Sequence, residues 1–345
     1  MISIVSSPPM PSKANQSLSS NQPDRTDLVL ADWKAQQIKR LRAKPTIGYA
    51  AGEPVAAEPV AFAALAAVAY EQMDAAISAC DCLRQAQNPD GSVAVNLDAI
   101  GPYWTTSLSC IAWRQLEIRQ RIQAGEKYRT AYKRGLDFLL SLEGERISRT
   151  EATGHNTQLV GWPWVEGTHS WLEPTAMALL AMRHCGASEH PRAQEAAELL
   201  IDRQIESGGA NYGNTIVLGQ TLVPHVMPSA MSVVALHHIE SLSDPLGPTI
   251  RYLQNELNRP MAAVSLAWTI HALVSVGLSQ QQRFDMEFDW PLRSAINRLH
   301  RIEDNPHRQN LLLLSASLAD SPLLNMSKMK LSTKASSNRK SQETS

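Results

Sequence analysis

The side chains best suited to chemistry crowd into one stretch. Between Glu143 and Leu172 lie Trp162, Trp164 and Trp171, with His155, Glu166 and His169, and Glu173 follows at once. A connection of that length is usually functional or unstructured, and this one is too aromatic to be unstructured. Histidines and carboxylates that converge on an apolar pocket can run acid–base chemistry. Glu166, His169 and Glu173 are therefore the candidate catalytic groups. Trp162, Trp164, Trp171, His155 and, from further along the chain, His225 are the candidate substrate-binding residues. The same residues have plainer roles open to them. Tryptophans supply packing area wherever they occur, and a glutamate in the first turn of a helix meets the positive end of its dipole.

Other signatures of chemistry are missing. The chain has no Gly-x-Ser-x-Gly elbow, no phosphate-binding Gly-x-x-x-x-Gly-Lys, no His-Glu-x-x-His and no Cys-x-x-Cys. Cys80-Asp-Cys82 has no ligand partners near it, so no metal site is expected. No motif names a cofactor.

The elements that must hold these residues repeat. Gly161–Met182 runs from a Gly-aromatic loop through Glu-Pro into an uncharged, alanine-rich helix, and Gly48–Ala67 does the same more faintly. Self-similarity at a period of tens of residues signals a repeat architecture. Prolines at 59, 102, 174, 228, 260 and 306 stand ahead of runs that contain no Asp, Glu, Lys or Arg. A helix apolar on every side is buried on every side. Between these runs lie segments such as Tyr128–Leu142 and Arg192–Glu206, which mix charges with apolar residues at helical spacing, the pattern of a helix with one wet face. Six pairs result: 26–43 with 57–71, 73–87 with 103–122, 128–142 with 173–186, 191–206 with 228–241, 245–257 with 260–277, and 289–301 with 307–320. Six wet–dry pairs predict an all-α fold, a single α/α toroid with a charged outer ring and an Ala-rich inner ring. Ala178, Ala235 and Ala267 should then be inaccessible.

Leu83-Arg-Gln-Ala-Gln-Asn-Pro-Asp-Gly-Ser92, followed by Tyr103-Trp-Thr-Thr-Ser-Leu-Ser109, resembles the repeat shared by squalene and oxidosqualene cyclases and protein prenyltransferase β subunits. Gly161–Met182 resembles it again, and Gly208–Gly213 more weakly. The resemblance spans roughly residues 45–280 and implies the toroid reached independently from the periodicity. It also implies a long apolar, isoprenoid-type substrate in a central cavity. The Asp-x-Asp-Asp acid motif of such cyclases is absent, and so is the Asp-x-Cys…His zinc set of the prenyltransferases. The alternative expectation is a non-catalytic toroid that binds a lipid or protein partner.

At 345 residues the repeats run on without a linker, so residues 25–322 are expected to form one domain. Residues 1–24 and the basic stretch 323–345 read as disordered tails. A net charge of −1 gives no electrostatic case for nucleic acid. The longest uncharged run falls short of the ~20 residues needed to span a bilayer. Four cysteines in a chain of this size suit buried thiols of a reducing compartment, the cytoplasm.

Overall fold

The structure is a computed structural model that describes residues 25–120, 122–148, 154–239, 242–277, 288, 290–298 and 305–324. The helices are α1 (Arg25–Ala43), α2 (Ala57–Ala69), α3 (Met73–Gln85), α4 (Thr106–Arg119), α5 (Ile122–Ser141), α6 (Leu172–His184), α7 (Pro191–Asp202), α8 (Val226–Leu236), α9 (Ser243–Leu257), α10 (Ala263–Ser275), α11 (290–298) and α12 (Pro306–Ser315). A two-stranded hairpin, β1 (Ile216–Val217) and β2 (Gln220–Thr221), lies in the connection before α8. The sequence pattern gave no sign of it.

The even-numbered helices close on themselves. Each packs on the next, α2 on α4, α4 on α6, α6 on α8, α8 on α10 and α10 on α12, and α12 returns to α2. The odd helices lie outside, α3 against α2 and α4, α7 against α6 and α8, and α9 against α8 and α10. The fold is thus the expected all-α toroid. The central runs of its inner helices lack charge because they have no wet face: every residue of α6 is buried, as are Pro59–Val68 of α2. Ala178, Ala235 and Ala267 are all inaccessible, at 1 % exposure or less. The outer helices bury one stripe, as α3 does with Ala75, Ala76, Ala79, Cys80 and Leu83.

One joint recurs where a loop meets an inner helix. The Val93 N–H donates to Thr106 Oγ1 (2.9 Å), which donates to the Tyr103 carbonyl (2.7 Å). The Trp162 N–H donates to Thr175 Oγ1 (2.9 Å), which donates to the Trp171 carbonyl (2.6 Å). The Ala210 N–H donates to Ser229 Oγ (2.8 Å), which donates to the His225 carbonyl (2.6 Å). A hydroxyl in the first turn of the helix, itself buried, satisfies a buried loop donor that would otherwise have no partner. Gly91, at φ +96°, lies so close under the Arg134 carbonyl that a Cβ would run into it, and Gly161 lies as close to Thr175. Glycine is required there for close approach.

The expectations for residues 1–24 and for 325–345 fall outside the described residues. Leu323 is described and buried, and its carbonyl lies 3.1 Å from His184 Nε2, so the packed chain reaches past the expected boundary at 322. Among the described residues no helix is long and apolar enough to cross a membrane.

Candidate active site at the mouth of the inner ring

Every inner helix is entered from an outer one through a connection at the same rim, so the first turns of α2, α4, α6, α8, α10 and α12 surround one mouth. Three of these helices open alike, with a proline third: Ala57-Glu58-Pro59, Leu172-Glu173-Pro174 and Val226-Met227-Pro228. Proline suits a first turn because its missing N–H has no helical partner there. The residue before it is a glutamate in α2 and in α6. These two helices are not neighbours, since α4 stands between them. Even so, the charge of Glu58 acts on Glu173.

Burial pushes the carboxyls of both Glu58 and Glu173 up to about 7. Their surroundings differ in one respect. The Tyr49 hydroxyl donates to Glu58, which favours the ionised form, while burial holds that phenol above its ordinary range, so it remains a donor. Glu173 is 4 % exposed, its Oε1 has no hydrogen-bond partner among the described residues, and the Glu58 charge adds to the effect of burial. The Tyr49 hydrogen bond therefore favours the ionised form at Glu58, and nothing comparable does so at Glu173 among the described residues. Glu58 keeps part of its side chain accessible, so this end of α2 is a shallow recess rather than packed core.

Aromatic rings surround the pair. Tyr49 stands edge-on to His307 at 5.3 Å, His307 lies 5.8 Å from Phe62, and Phe62 lies 6.1 Å from Trp268. This wall is drawn from the first loop, α12, α2 and α10. Burial first, and then the Arg308 charge, pushes the His307 imidazole down to about 4, so it is neutral. Over α4, Trp104 and Trp164 meet edge to face at 5.0 Å. Beside α6 and α8, His169 lies on Trp171 at 4.6 Å, and Tyr212 on His225 at 4.8 Å. The Tyr212 carbonyl accepts the Leu172 N–H (2.9 Å), and the Glu173 charge reaches the Tyr212 phenol.

The residues singled out in the sequence divide. Glu173 is buried in the first turn of α6, Trp164, His169 and Trp171 are half-buried, and His225 is exposed. Glu166 is exposed on the loop, in a turn with the exposed Val165 and Gly167. Two substrate-binding expectations need correction. Trp162 is buried between helices, donates from its indole nitrogen to the Leu139 carbonyl (2.8 Å) and lies under the Arg192 guanidinium at 4.2 Å. It is a packing residue. His155 is buried toward the end of outer helix α7, where burial and Arg203 push it down to about 4. Trp104, Tyr212, Trp268 and His307 were not among the sequence candidates. The repeated Glu-Pro was the available signal for Glu58. Among the described residues, no three His, Cys, Asp or Glu side chains group as a metal site.

No family model matches the chain, and neither does any curated protein sequence. Solved structures do. A reducing-end-xylose releasing exo-oligoxylanase, crystallised with xylose, superposes with a TM-score of 0.51 over 86 % of this chain and 96 % of its own, at 12 % identity. The glycoside hydrolase family 76 mannosidase Bt3792 from Bacteroides thetaiotaomicron VPI-5482 superposes with a TM-score of 0.51 over 85 % of this chain and 98 % of its own, at 13 % identity. Similarity at that identity establishes the α/α toroid. These neighbours are toroid glycosidases, which overturns the assignment to the squalene cyclase and prenyltransferase repeat family, and with it the isoprenoid-type substrate.

Proposed function

We propose that this chain is a carbohydrate-active enzyme, a glycosidase that cleaves a short saccharide at the mouth of the inner ring. The feature that supports the reading is a pair of glutamates, each raised to about 7 by burial, that open two non-adjacent inner helices, with the Glu58 charge acting on Glu173. Glycoside cleavage by a carboxylate pair needs one protonated and one ionised group on either side of the scissile bond. Glu173 donates its proton to the departing glycosidic oxygen. Glu58, held ionised by Tyr49, acts on the anomeric centre from the other side, directly or through a water molecule. The protein neighbours that act on xylo-oligosaccharide and mannoside support the substrate class. Trp104, Trp164, Trp171 and Tyr212 stack on the apolar faces of the sugar rings, and His169 and His225 contact their hydroxyls.

The test is incubation with xylo- and manno-oligosaccharides of defined length, with chromatography of the products. Glu58→Gln and Glu173→Gln should each lower kcat/KM by about 10²–10⁴, the usual contribution of a positioned acid or base. Cleavage at wild-type rates by both variants, or no cleavage of any β- or α-linked oligosaccharide by the wild type, refutes the proposal. The cytoplasm is the compartment we assign, because all four cysteines carry free thiols.

A further inference from the structure

Two of the four cysteines meet across a joint between inner helices. Cys80 and Cys82 stand two apart on α3, one buried and the other half-buried, so they look in different directions. Cys110 and Cys185 come from different elements. Cys110 lies in α4 and is fully buried, while Cys185 caps the C-terminal end of α6 and is half-buried, just before the turn at Gly186 (φ +82°). α4 packs on α6, and the two thiols are in hydrogen-bond contact. The backbone around them agrees. Arg114, one turn after Cys110 on the same face of α4, donates from Nε to the carbonyl of His184 (3.3 Å), the residue before Cys185.

The surroundings hold the Cys110 sulfur in place and leave Cys185 within reach of solvent. Cys110 Sγ is set against α5: its thiol donates weakly to the Tyr132 carbonyl at 3.7 Å, and a Cβ on Gly135 would stand 2.5 Å from the sulfur. Glycine at 135 is what lets the sulfur lie so close to α5. The Cys185 thiol acts on the Tyr132 phenol as well, so both sulfurs lie beside the same part of α5. A single buried cysteine behaves as a small apolar side chain. Alanine serves that purpose elsewhere along these helices, at Ala112, Ala178 and Ala181. Two thiols in contact, one of them accessible, have a reaction open to them that alanine does not.

We propose that Cys110 and Cys185 form a reversible disulfide, joining α4 to α6, when the protein meets a hydroperoxide. Cys185 is the point of entry. Its sulfur attacks the O–O bond of hydrogen peroxide and keeps one oxygen as a sulfenic acid, while the other oxygen leaves as water with the thiol proton. The Cys110 sulfur, already in contact, then displaces the hydroxyl: the S–S bond forms, the S–O bond breaks, and a second water carries off the Cys110 proton. In sum two thiols give two electrons to one peroxide, which becomes two waters. Burial first, and then Cys185, holds the Cys110 thiol well above its ordinary range, so Cys110 does not meet peroxide directly and acts only on its neighbour. Small thiols return the pair to the reduced form by exchange at Cys185. The inference does not depend on the proposed hydrolase activity.

The experiment is treatment of the folded full chain with a small excess of hydrogen peroxide, capping of the remaining thiols with N-ethylmaleimide, and mass spectrometry of tryptic peptides without reductant. The expected product joins peptide 85–114 to peptide 184–192, two hydrogens lighter than their sum, with Cys80 and Cys82 capped and the bridge lost on adding dithiothreitol. Cys110→Ser should stop Cys185 at the sulfenic acid, which dimedone captures, and Cys185→Ser should leave Cys110 reduced. Cys185 is half-buried, so its variant keeps the test valid should Cys110→Ser fold poorly. In urea the fraction of this bridge should fall about threefold or more, because other pairings open in the unfolded chain. Four capped thiols after peroxide, oxidation of Cys185 in the wild type without the joined peptides, or the same bridged fraction in urea as in the folded chain overturns the proposal.

Discussion

Replacing Glu173 with glutamine should make the protein more stable at high pH while lowering the proposed hydrolase activity. The side chain is 4 % exposed, and burial with the Glu58 charge holds its carboxyl at about 7 rather than 4.5. At 1.36 kcal/mol per pKa unit, the ionised form is less favourable in the folded chain than in the unfolded one by about 3 kcal/mol. The sign follows from proton binding. Between 4.5 and about 7 the folded state holds this proton and the unfolded state does not, so stability falls as pH rises across that window. Below 4.5 both states are protonated and the group contributes nothing. Glutamine is neutral and nearly isosteric, so it removes the penalty where the penalty exists. Urea denaturation at about pH 4.5 and about pH 8 should show the variant gaining about 3 kcal/mol on wild type between the two conditions. An offset that stays the same at both pH values would mean that Glu173 is not desolvated, and the assignment of the acid would fail. A site group that costs stability where it functions is the expected trade.

The remaining predictions concern the partner carboxylate, the joints and the core. Tyr49→Phe removes the donor that holds Glu58 ionised, so the acid limb of the pH–rate profile should move to higher pH, and an unmoved limb assigns Tyr49 no such role. Thr175→Val and Ser229→Ala each leave a buried loop N–H without its acceptor and should cost about 1–3 kcal/mol in thermal unfolding. Ser109→Ala is the control, since the Ser109 hydroxyl only returns to the Thr105 carbonyl of its own helix (3.0 Å), and it should cost less than either. His271 is fully buried, with Nδ1 at 2.7 Å from the Ala267 carbonyl and Nε2 at 2.8 Å from Ser321 Oγ, and burial pushes it down to about 4. The folded state therefore refuses a proton that the unfolded state takes from 6.5 downward, and stability should drop as pH falls from 6.5 through about 4. His271→Asn should flatten that limb in pH-jump unfolding, and an unchanged slope would place the titration elsewhere.

Much of the scaffold is legible in the residues because helix burial is a compositional signal. Absence of charge over Val60–Ala69 and Thr175–Met182 can mean only that no face is wet, and α2 and α6 lie where those runs lie. Boundaries slip where a side chain serves a loop. Tyr103 and Trp104 were expected inside α4, yet α4 opens at Thr106, because Thr105 and Thr106 bond back to Val93 and hold the preceding turn. α5 starts at Ile122 rather than 128, since its first turn lacks the apolar spacing that would have marked it. The site is less legible. A first-turn glutamate suits the dipole of any helix, so Glu58 has a sufficient local explanation, and only closure of the ring sets it against Glu173. Trp268 and His307 sit within inner-helix runs, where spacing cannot tell a cavity wall from packing.

The error over family has the same origin as the success over fold. The residues that carried the resemblance are Asp90-Gly91-Ser92 with Thr105-Thr106, and Gly161-Trp162 with Thr175. Asp90 Oδ1 accepts both the backbone N–H (2.9 Å) and the hydroxyl (2.7 Å) of Ser92, tightening the turn. Gly91 and Gly161 permit backbone contact that any Cβ would prevent. The threonines hold the loop to the first turn of the next inner helix. Each of these is a mechanical part of the joint between an outer and an inner helix, and none points into the recess. Any chain that must turn from a wet helix into a dry one in so short a space meets the same constraints, whatever it binds. The motif therefore specifies the toroid and is silent about its contents. On the proposed reading the chemistry falls to positions that the joint leaves free, the residue before each first-turn proline. There α2 and α6 place glutamates and α8 places Met227, so a ring that is repetitive in construction is asymmetric at its first turns.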